Sequence, residues 1–371
     1  MSLFIGLMSG TSMDGVDAAL VDVNTNELIA GITCPFTLRA KQGLEAIMTG
    51  EYSSLAEISQ LNALIGREFA AAAEAVLKKA KVSASEVKGI GSHGQTICHD
   101  ATAKIPYTWQ MGCAHTIAEM TGLVVVADFR TRDLIIGGQG APFAPIYHQV
   151  LFGEYSPLAL VNIGGISNIT YLLDDGSVVG HDVGPGNCLM DAWVKEHLNQ
   201  GFDRGGAWAK TGRVIEPLLQ TLLDDAYFHQ LPPKSVGKEY FSNAWLRNFL
   251  NKDDAPNDVQ ATLLALTAKA IANEVSRAPH QIGRLAVCGG GVHNERLMAV
   301  IASLLPSCDV VSTASLHVDP DYIEAMMFAW FASKTLAQTP LDLSPFTGSG
   351  KKAIYGAIYA AGIDNRNSIE V

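Results

Sequence analysis

The stretch IGLMSGTSMDGVD, Ile5 to Asp17, sets a turn of small and hydroxyl residues between two apolar runs, Leu3 to Met8 and Val16 to Val23. A third run, Leu28 to Ile32, follows the polar Asn24-Thr25-Asn26. Three short apolar runs separated by turn residues predict an antiparallel meander. Ser9, Gly10, Thr11, Ser12, Met13 and Gly15 bring N–H and O–H donors into one tight loop, which suits phosphate oxygens. The loop lacks the G-x-x-x-x-G-K-[ST] and G-x-G-x-x-G patterns. On its own it reads equally well as an ordinary hairpin turn.

The same order of elements recurs further along. After the first meander the spacing predicts a helix from Ser54 to about Lys79, where Ser54 and Glu57 have capping-box spacing. A short strand into Gly89-Ile90-Gly91, a helix at Cys113–Met120 and a strand at Leu123–Val126 follow. The second half shows strands at Leu158–Ile163, Asn168–Leu173 and Val178–Val183, then a helix from about Asn187. A polar insertion, Gly201 to Asn257, precedes a helix at Val259–Ser276. Strand Leu285–Cys288, helix Glu295–Leu305, strand Val310–Val311 and helix Tyr322–Ala337 complete the half. VNIGGISNIT (Val161 to Thr170) occupies the place of the first glycine loop, with Asn162, Gly164 and Gly165 at its turn. AVCGGGVHNERL (Ala286 to Leu297) puts Gly289, Gly290 and Gly291 between a strand and a helix that Asn294 would cap.

Composition fits such a chain. With 371 residues, two domains are expected. Hydrophobic residues make up 48% and charged residues 17%, enough apolar surface for large cores and little that reads as disordered. Thirty-seven acidic against 26 basic residues, a net charge of −11, exclude a broad basic face for nucleic acid or an anionic membrane. An anionic ligand must therefore be held locally. The six cysteines show no C-x-x-C or zinc spacing and are expected to be reduced thiols, mostly in the core. No export or membrane-spanning segment is legible, so a cytoplasmic protein is expected.

The three loops together resemble the actin-like ATPase and sugar kinase superfamily. That resemblance implies an α/β fold of two actin-like (ribonuclease H-like) domains, each a mixed sheet flanked by helices, with ATP in the cleft between them. The expected bounds are 1–128 plus 342–371 for the first domain and 129–341 for the second. The hairpins would hold the phosphates and the Gly289–Gly291 turn would lie beside adenosine. The superfamily usually has Asp where this chain has Met8 and Asn162, so Mg2+ coordination falls to Asp14 or Asp182. MSGTSMDGVD, GSHGQT (Gly91 to Thr96), ADFRTRD with GGQGAP (Ala127 to Pro142), NIGGISN, HDVGPGN (His181 to Asn187) and PPKSVGKE (Pro232 to Glu239) are similar to one family within it, the anhydro-N-acetylmuramic acid kinases. What this implies is an ATP-dependent enzyme of peptidoglycan recycling that opens 1,6-anhydro-N-acetylmuramic acid with water and phosphorylates O6. The substrates would be ATP and a small amino sugar, the working form a single chain or a homodimer. A kinase of another amino sugar, or an actin- or chaperone-like ATPase switch, is the alternative.

Such chemistry needs a base for the attacking water, and a carboxylate fits. By the resemblance the base is Asp182, which ends a predicted strand before Val183-Gly184-Pro185-Gly186. By chemistry alone it is one of several, and an Asp before such a turn is often structural. Asp14 and Asp17 flank the first loop as candidates for the nucleotide site: Asp14 reads as a magnesium ligand or an ordinary Asp-Gly turn residue, and Asp17 reads rather as a solvent-facing strand residue than as a ligand. His93, Gln95 and Thr96, in what reads as a loop, and Arg130 are candidates for the sugar's hydroxyls and lactyl carboxylate, since a guanidinium donates two parallel hydrogen bonds. Asp128 would orient a hydroxyl or pair with Arg130 or Arg132. Glu324 would reach the sugar or sit on a solvated helix face. Lys234 and Lys238 are charged loop residues expected to face water.

Overall fold

The computed structural model describes all residues except 11–12, 52–53, 233, 238, 279 and 363–371. The chain begins with strands β1 (Leu3–Ser9), β2 (Gly15–Asp22) and β3 (Glu27–Pro35), then helices α1 (Leu38–Thr49) and α2 (Leu55–Ala80). Ser54 starts α2 with the expected capping box, its hydroxyl accepting the Glu57 N–H while the Glu57 carboxylate accepts the Ser54 N–H. Next come β4 (Val87–Asp100), β5 (Tyr107–Met111), α3 (Ala114–Thr121), β6 (Val125–Ala127) and α4 (Phe129–Ile135). The second stretch holds α5 (Ala144–Phe152), β7 (Leu158–Ile163), β8 (Ile166–Leu172), β9 (Val178–Pro185), α6 (Cys188–Leu198), α7 (Glu216–Leu223), α8 (Asn243–Arg247), α9 (Pro256–Ser276), β10 (Arg284–Cys288), α10 (Glu295–Leu304) and β11 (Asp309–Ser312). Helix α11 (Ile323–Leu336) and strand β12 (Ala357–Tyr359) follow.

The protein is α/β, with two mixed sheets flanked by helices. The first sheet runs β12-β6-β4-β1-β2-β3, with β5 also paired to β4; the second runs β11-β10-β7-β8-β9. In each, a meander of antiparallel strands leads to parallel partners of its first strand: β1 joins β4 as β7 joins β10. The internal repeat is thus a repeat of sheet topology, the actin-like arrangement that the resemblance implied.

The chain divides into two compact units, Met1–Phe143 with the chain from Tyr322 onward, and Ala144–Asp321. The expected bounds at 128/129 and 341/342 shift accordingly. Helix α11, assigned by element order to the second half, packs on the first sheet. A Cβ on Gly6 of β1 would lie 1.7 Å from the Ala325 carbonyl oxygen, and one on Gly91 of β4 1.9 Å from that of Phe328. Only glycine lets the helix backbone approach so closely.

Three further expectations change. GSHGQT is not a loop but the middle of β4, and most of it is buried. The insertion after Gly201 is less polar in effect than in composition, because Leu218, Leu219, Leu222, Phe241 and Leu246 all join the core of the second unit. The six cysteines are free, but only Cys288 is fully buried.

Candidate active site

In the first unit, β1 ends at Ser9, whose hydroxyl lies 2.8 Å from the Gly15 carbonyl and 2.7 Å from Oε1 of Gln95. Ser9 is buried and braces the hairpin against β4. Thr11 and Ser12 lie outside the described residues. Gly10 accepts the Met13 N–H at 3.2 Å, its own N–H has no partner among the described residues, and a Cβ there would meet nothing within 4 Å. Gly15 has a packing reason to be glycine: its Cβ would lie 2.3 Å from the Cys34 carbonyl. Asp14 is exposed and ion-paired with Lys41 at 3.0 Å, while Asp17 accepts the Thr33 hydroxyl at 2.6 Å.

The same unit gathers His93, Arg130 and Glu324. His93 donates from Nδ1 to the Gly94 carbonyl at 2.9 Å and accepts the Arg130 Nε–H on Nε2 at 2.9 Å, which fixes a neutral imidazole. Burial first, then the Arg130 charge, holds its pKa well below the usual range. Both ring nitrogens are engaged, so His93 holds Arg130 rather than a ligand. Arg130 also donates Nη1–H to the Gly140 carbonyl at 2.7 Å and lies over the Phe143 ring, leaving Nη2 without a partner among the described residues. Half-buried Glu324 begins α11, its carboxyl pushed up by burial and by Asp17 and pulled down by Arg130. Gln95 is committed to Ser9, and Thr96 pairs across β5 with Gln110. Asp128 is not part of this group. It takes a left-handed conformation (φ 59°) at the end of β6, is exposed, makes no ion pair with Arg130 or Arg132 among the described residues, and acts on the phenol of Tyr359.

In the second unit the β7–β8 hairpin turns at Gly164-Gly165. Their carbonyls accept the N–H groups of Asn187, and of Gly186 and Cys188, which locks the hairpin to the start of α6. The N–H groups of Gly164 and Gly165 themselves have no partner among the described residues, as an anion site requires. The glycines after β10 have different jobs. A Cβ on Gly289 would lie 2.1 Å from Oδ1 of Asn162 and one on Gly291 2.3 Å from Cγ2 of Ile163, whereas Gly290 has only Asn187 Nδ2 within 4 Å, at 3.9 Å. Asn162 therefore faces Gly289, and Asn294 caps α10 by accepting the Leu297 N–H at 3.0 Å. Of this set only Gly290 is open.

Asp182 lies near the end of β9, paired with Asn168 of β8. It is half-buried. Its N–H donates to the Lys234 carbonyl at 3.1 Å, its carbonyl accepts the Tyr227 hydroxyl at 2.9 Å, and its Oδ2 accepts the Val236 N–H at 3.0 Å. Burial pushes the carboxyl up to about 6, against the opposing pull of the Val236 N–H, His181 and Lys234. A carboxylate poised near neutrality, with one oxygen that accepts no bond among the described residues, is suited to general-base work.

The model of the anhydro-N-acetylmuramic acid kinase family matches residues 2–361. The chain belongs to the anhydro-N-acetylmuramic acid kinase family. It is 53% identical over 360 residues to the anhydro-N-acetylmuramic acid kinase of Legionella pneumophila (strain Corby), covering 97% of this chain and 98% of that one. It is 44% identical over 360 residues to the enzyme of that name from Coxiella burnetii (strain Dugway 5J108-111), covering 96% and 97%. Among solved structures it is similar to the activator of the 2-hydroxyisocaproyl-CoA dehydratase from Clostridium difficile with bound ADPNP, at 11% identity and a TM-score of 0.46 over 92% of this chain and 99% of that one. Component A of the (R)-2-hydroxyglutaryl-CoA dehydratase of Acidaminococcus fermentans gives 11% and 0.49, over 91% and 100%. Membership in the anhydro-N-acetylmuramic acid kinase family leaves neither another amino-sugar kinase nor an ATPase switch favoured.

For this family member, Asp14 is already paired with Lys41, and no group of three His, Cys, Asp or Glu side chains gathers as a metal-binding cluster among the described residues. The described side chains do not fit a dedicated magnesium cage. No helix among the described residues is long and apolar enough to cross a membrane. Sequence reasoning missed Lys234: it is buried, its ammonium 2.7 Å from Oε1 of Glu274. The available signal was Glu274 itself, an acid at helical spacing from the apolar Ala270 and Ile271 of α9.

Proposed function

We propose that this chain is an ATP-dependent kinase that cleaves the anhydro bond of 1,6-anhydro-N-acetylmuramic acid with water and phosphorylates O6, giving N-acetylmuramic acid 6-phosphate in peptidoglycan recycling. The observation that carries the mechanism is Asp182, a half-buried carboxyl raised to about 6 whose orientation is set by the Val236 N–H. Water attacks C1 as Asp182 removes its proton, the C1–O6 bond breaks, O6 takes the γ-phosphoryl group and ADP leaves. Phosphoryl transfer asks mainly for positioning and charge stabilisation. The N–H groups of Gly10, Gly164 and Gly165, which have no partner among the described residues, are assigned to the phosphates, together with Thr11 and Ser12. Gly290, open where its neighbours are packed, is assigned to adenosine. Arg130, whose Nη2 has no partner among the described residues, is assigned to the lactyl carboxylate, and Glu324 to a sugar hydroxyl. Magnesium would enter on the nucleotide's phosphates.

Mass spectrometry of the products formed from magnesium-ATP and 1,6-anhydro-N-acetylmuramic acid tests this reading. A phosphorylated sugar heavier by one water than simple phosphorylation allows, carrying solvent oxygen-18 at C1, is expected. A phosphorylated sugar that retains the anhydro bond would contradict it.

A further inference from the structure

Among the described residues β9 is an edge strand, so the outward N–H and C=O of Asp182 have no neighbouring strand there to pair with. Segment 234–236 takes that place. The Lys234 carbonyl accepts the Asp182 N–H, and the Val236 N–H goes to Oδ2 of the Asp182 side chain, which stands where a strand would offer a carbonyl. Oδ1 accepts no bond among the described residues.

A closed ring of contacts holds this segment in place. The Lys234 side chain is 1% exposed, with Nζ 2.7 Å from Oε1 of Glu274 and 5.1 Å from the ring centroid of Tyr227. Tyr227 donates its hydroxyl to the Asp182 carbonyl. The other Glu274 oxygen lies 3.1 Å from Nε2 of His181, the residue before Asp182, and Tyr171 donates its hydroxyl to the Glu274 carbonyl at 2.9 Å. Lys234, Glu274, His181 and Tyr227 thus surround the peptide of Asp182, and each contact leads back to it. Burial pushes the Glu274 carboxyl up, but the hydrogen bonds and charges of His181 and Lys234 together outweigh it and leave Glu274 titrating below its ordinary value.

We propose that Lys234 is a positioning residue for Asp182: through its buried pair with Glu274 it pins segment 234–236 to β9 and so determines which carboxylate oxygen is free to take the water's proton. The inference rests on Asp182 being the base. A carboxylate without the Val236 N–H is free to rotate, and loss of near-attack geometry lowers the chemical step more than it lowers binding.

A buried ion pair that loses one partner leaves an uncompensated charge, so Lys234→Met alone confounds positioning with stability. Lys234→Met/Glu274→Gln removes both charges and is expected to fold. Val236→Pro deletes the single N–H that reaches Asp182, touches no charge, and decides the matter if the double variant does not fold. In steady-state kinetics each folded variant is expected to lose at least about tenfold in kcat, with KM for ATP and for the anhydro sugar moving less than about threefold. A kcat within twofold of the parent in either folded variant overturns the inference. Asp182→Asn, run in parallel, separates the two levels. If it is inactive while these variants are normal, the positioning role alone fails; if it turns over normally, the reading of Asp182 as base fails and the inference with it.

Discussion

Arg130 donates its Nε–H to Nε2 of His93 at 2.9 Å, so a buried imidazole serves as the acceptor that sets the plane of a guanidinium. His93 can do this only while neutral, and its Nδ1–H is anchored on the Gly94 carbonyl. The histidine that looked like a ligand in the sequence supports the arginine behind it.

Arg130→Lys keeps a positive charge but loses the Nε donor to His93 and the planar fork. The KM for the anhydro sugar is expected to rise at least about tenfold, the scale of one lost charge-assisted hydrogen bond, with the KM for ATP little changed. Steady-state kinetics with each substrate varied checks this; an unchanged sugar KM removes Arg130 from substrate binding.

Stability should fall on mild acidification. Burial holds His148 at about 4 against an ordinary 6.5, and His93 is also well below 6.5. A histidine with a depressed folded pKa contributes stability that is full above about 6.5 and is lost as pH falls towards the folded value. For His148 alone the loss between pH 7.5 and pH 5 is about 2 kcal/mol. Chemical denaturation at the two pH values measures it, and His148→Gln should flatten the dependence.

The glycines after β10 should separate into packing and binding residues. Gly289→Ala meets Asn162 at 2.1 Å from a positive φ of 76°, and Gly291→Ala meets Ile163 at 2.3 Å, so each should destabilise by about 1–3 kcal/mol. Gly290→Ala has room and should shift stability by about 0.5 kcal/mol at most. Its KM for ATP should nonetheless rise severalfold. Thermal midpoints and ATP kinetics of the three variants give the comparison.

The pH dependence of kcat/KM should show an acid limb. Asp182 must be ionised to accept a proton, and burial holds it at about 6. Activity is therefore expected to be full above about pH 7 and to fall roughly tenfold per pH unit well below 6. A profile flat down to pH 4.5 would be inconsistent with Asp182 as the base.

Strand and loop chemistry was the legible part of this chain. Leu158–Ile163 reads as a strand from its own residues, and Ser54 with Glu57 announces the start of α2. The glycines of GSHGQT misled because glycine signals a turn locally, whereas Gly91 is required by α11, a helix more than two hundred residues away. Lys234 misled for the same reason: its partner Glu274 is distant in sequence, and nothing local distinguishes a buried lysine from a solvated one. Helix α1 was missed because it buries only Ala40 and Leu44, too few for a clear apolar period.

The central claim is that Asp182 activates the water that opens the sugar, and Asp182→Asn tests it most directly. With magnesium-ATP and 1,6-anhydro-N-acetylmuramic acid, ADP release should fall by about 10³-fold or more, the scale of general-base catalysis, while the ATP dissociation constant stays within about threefold. Turnover near that of the parent would contradict the account.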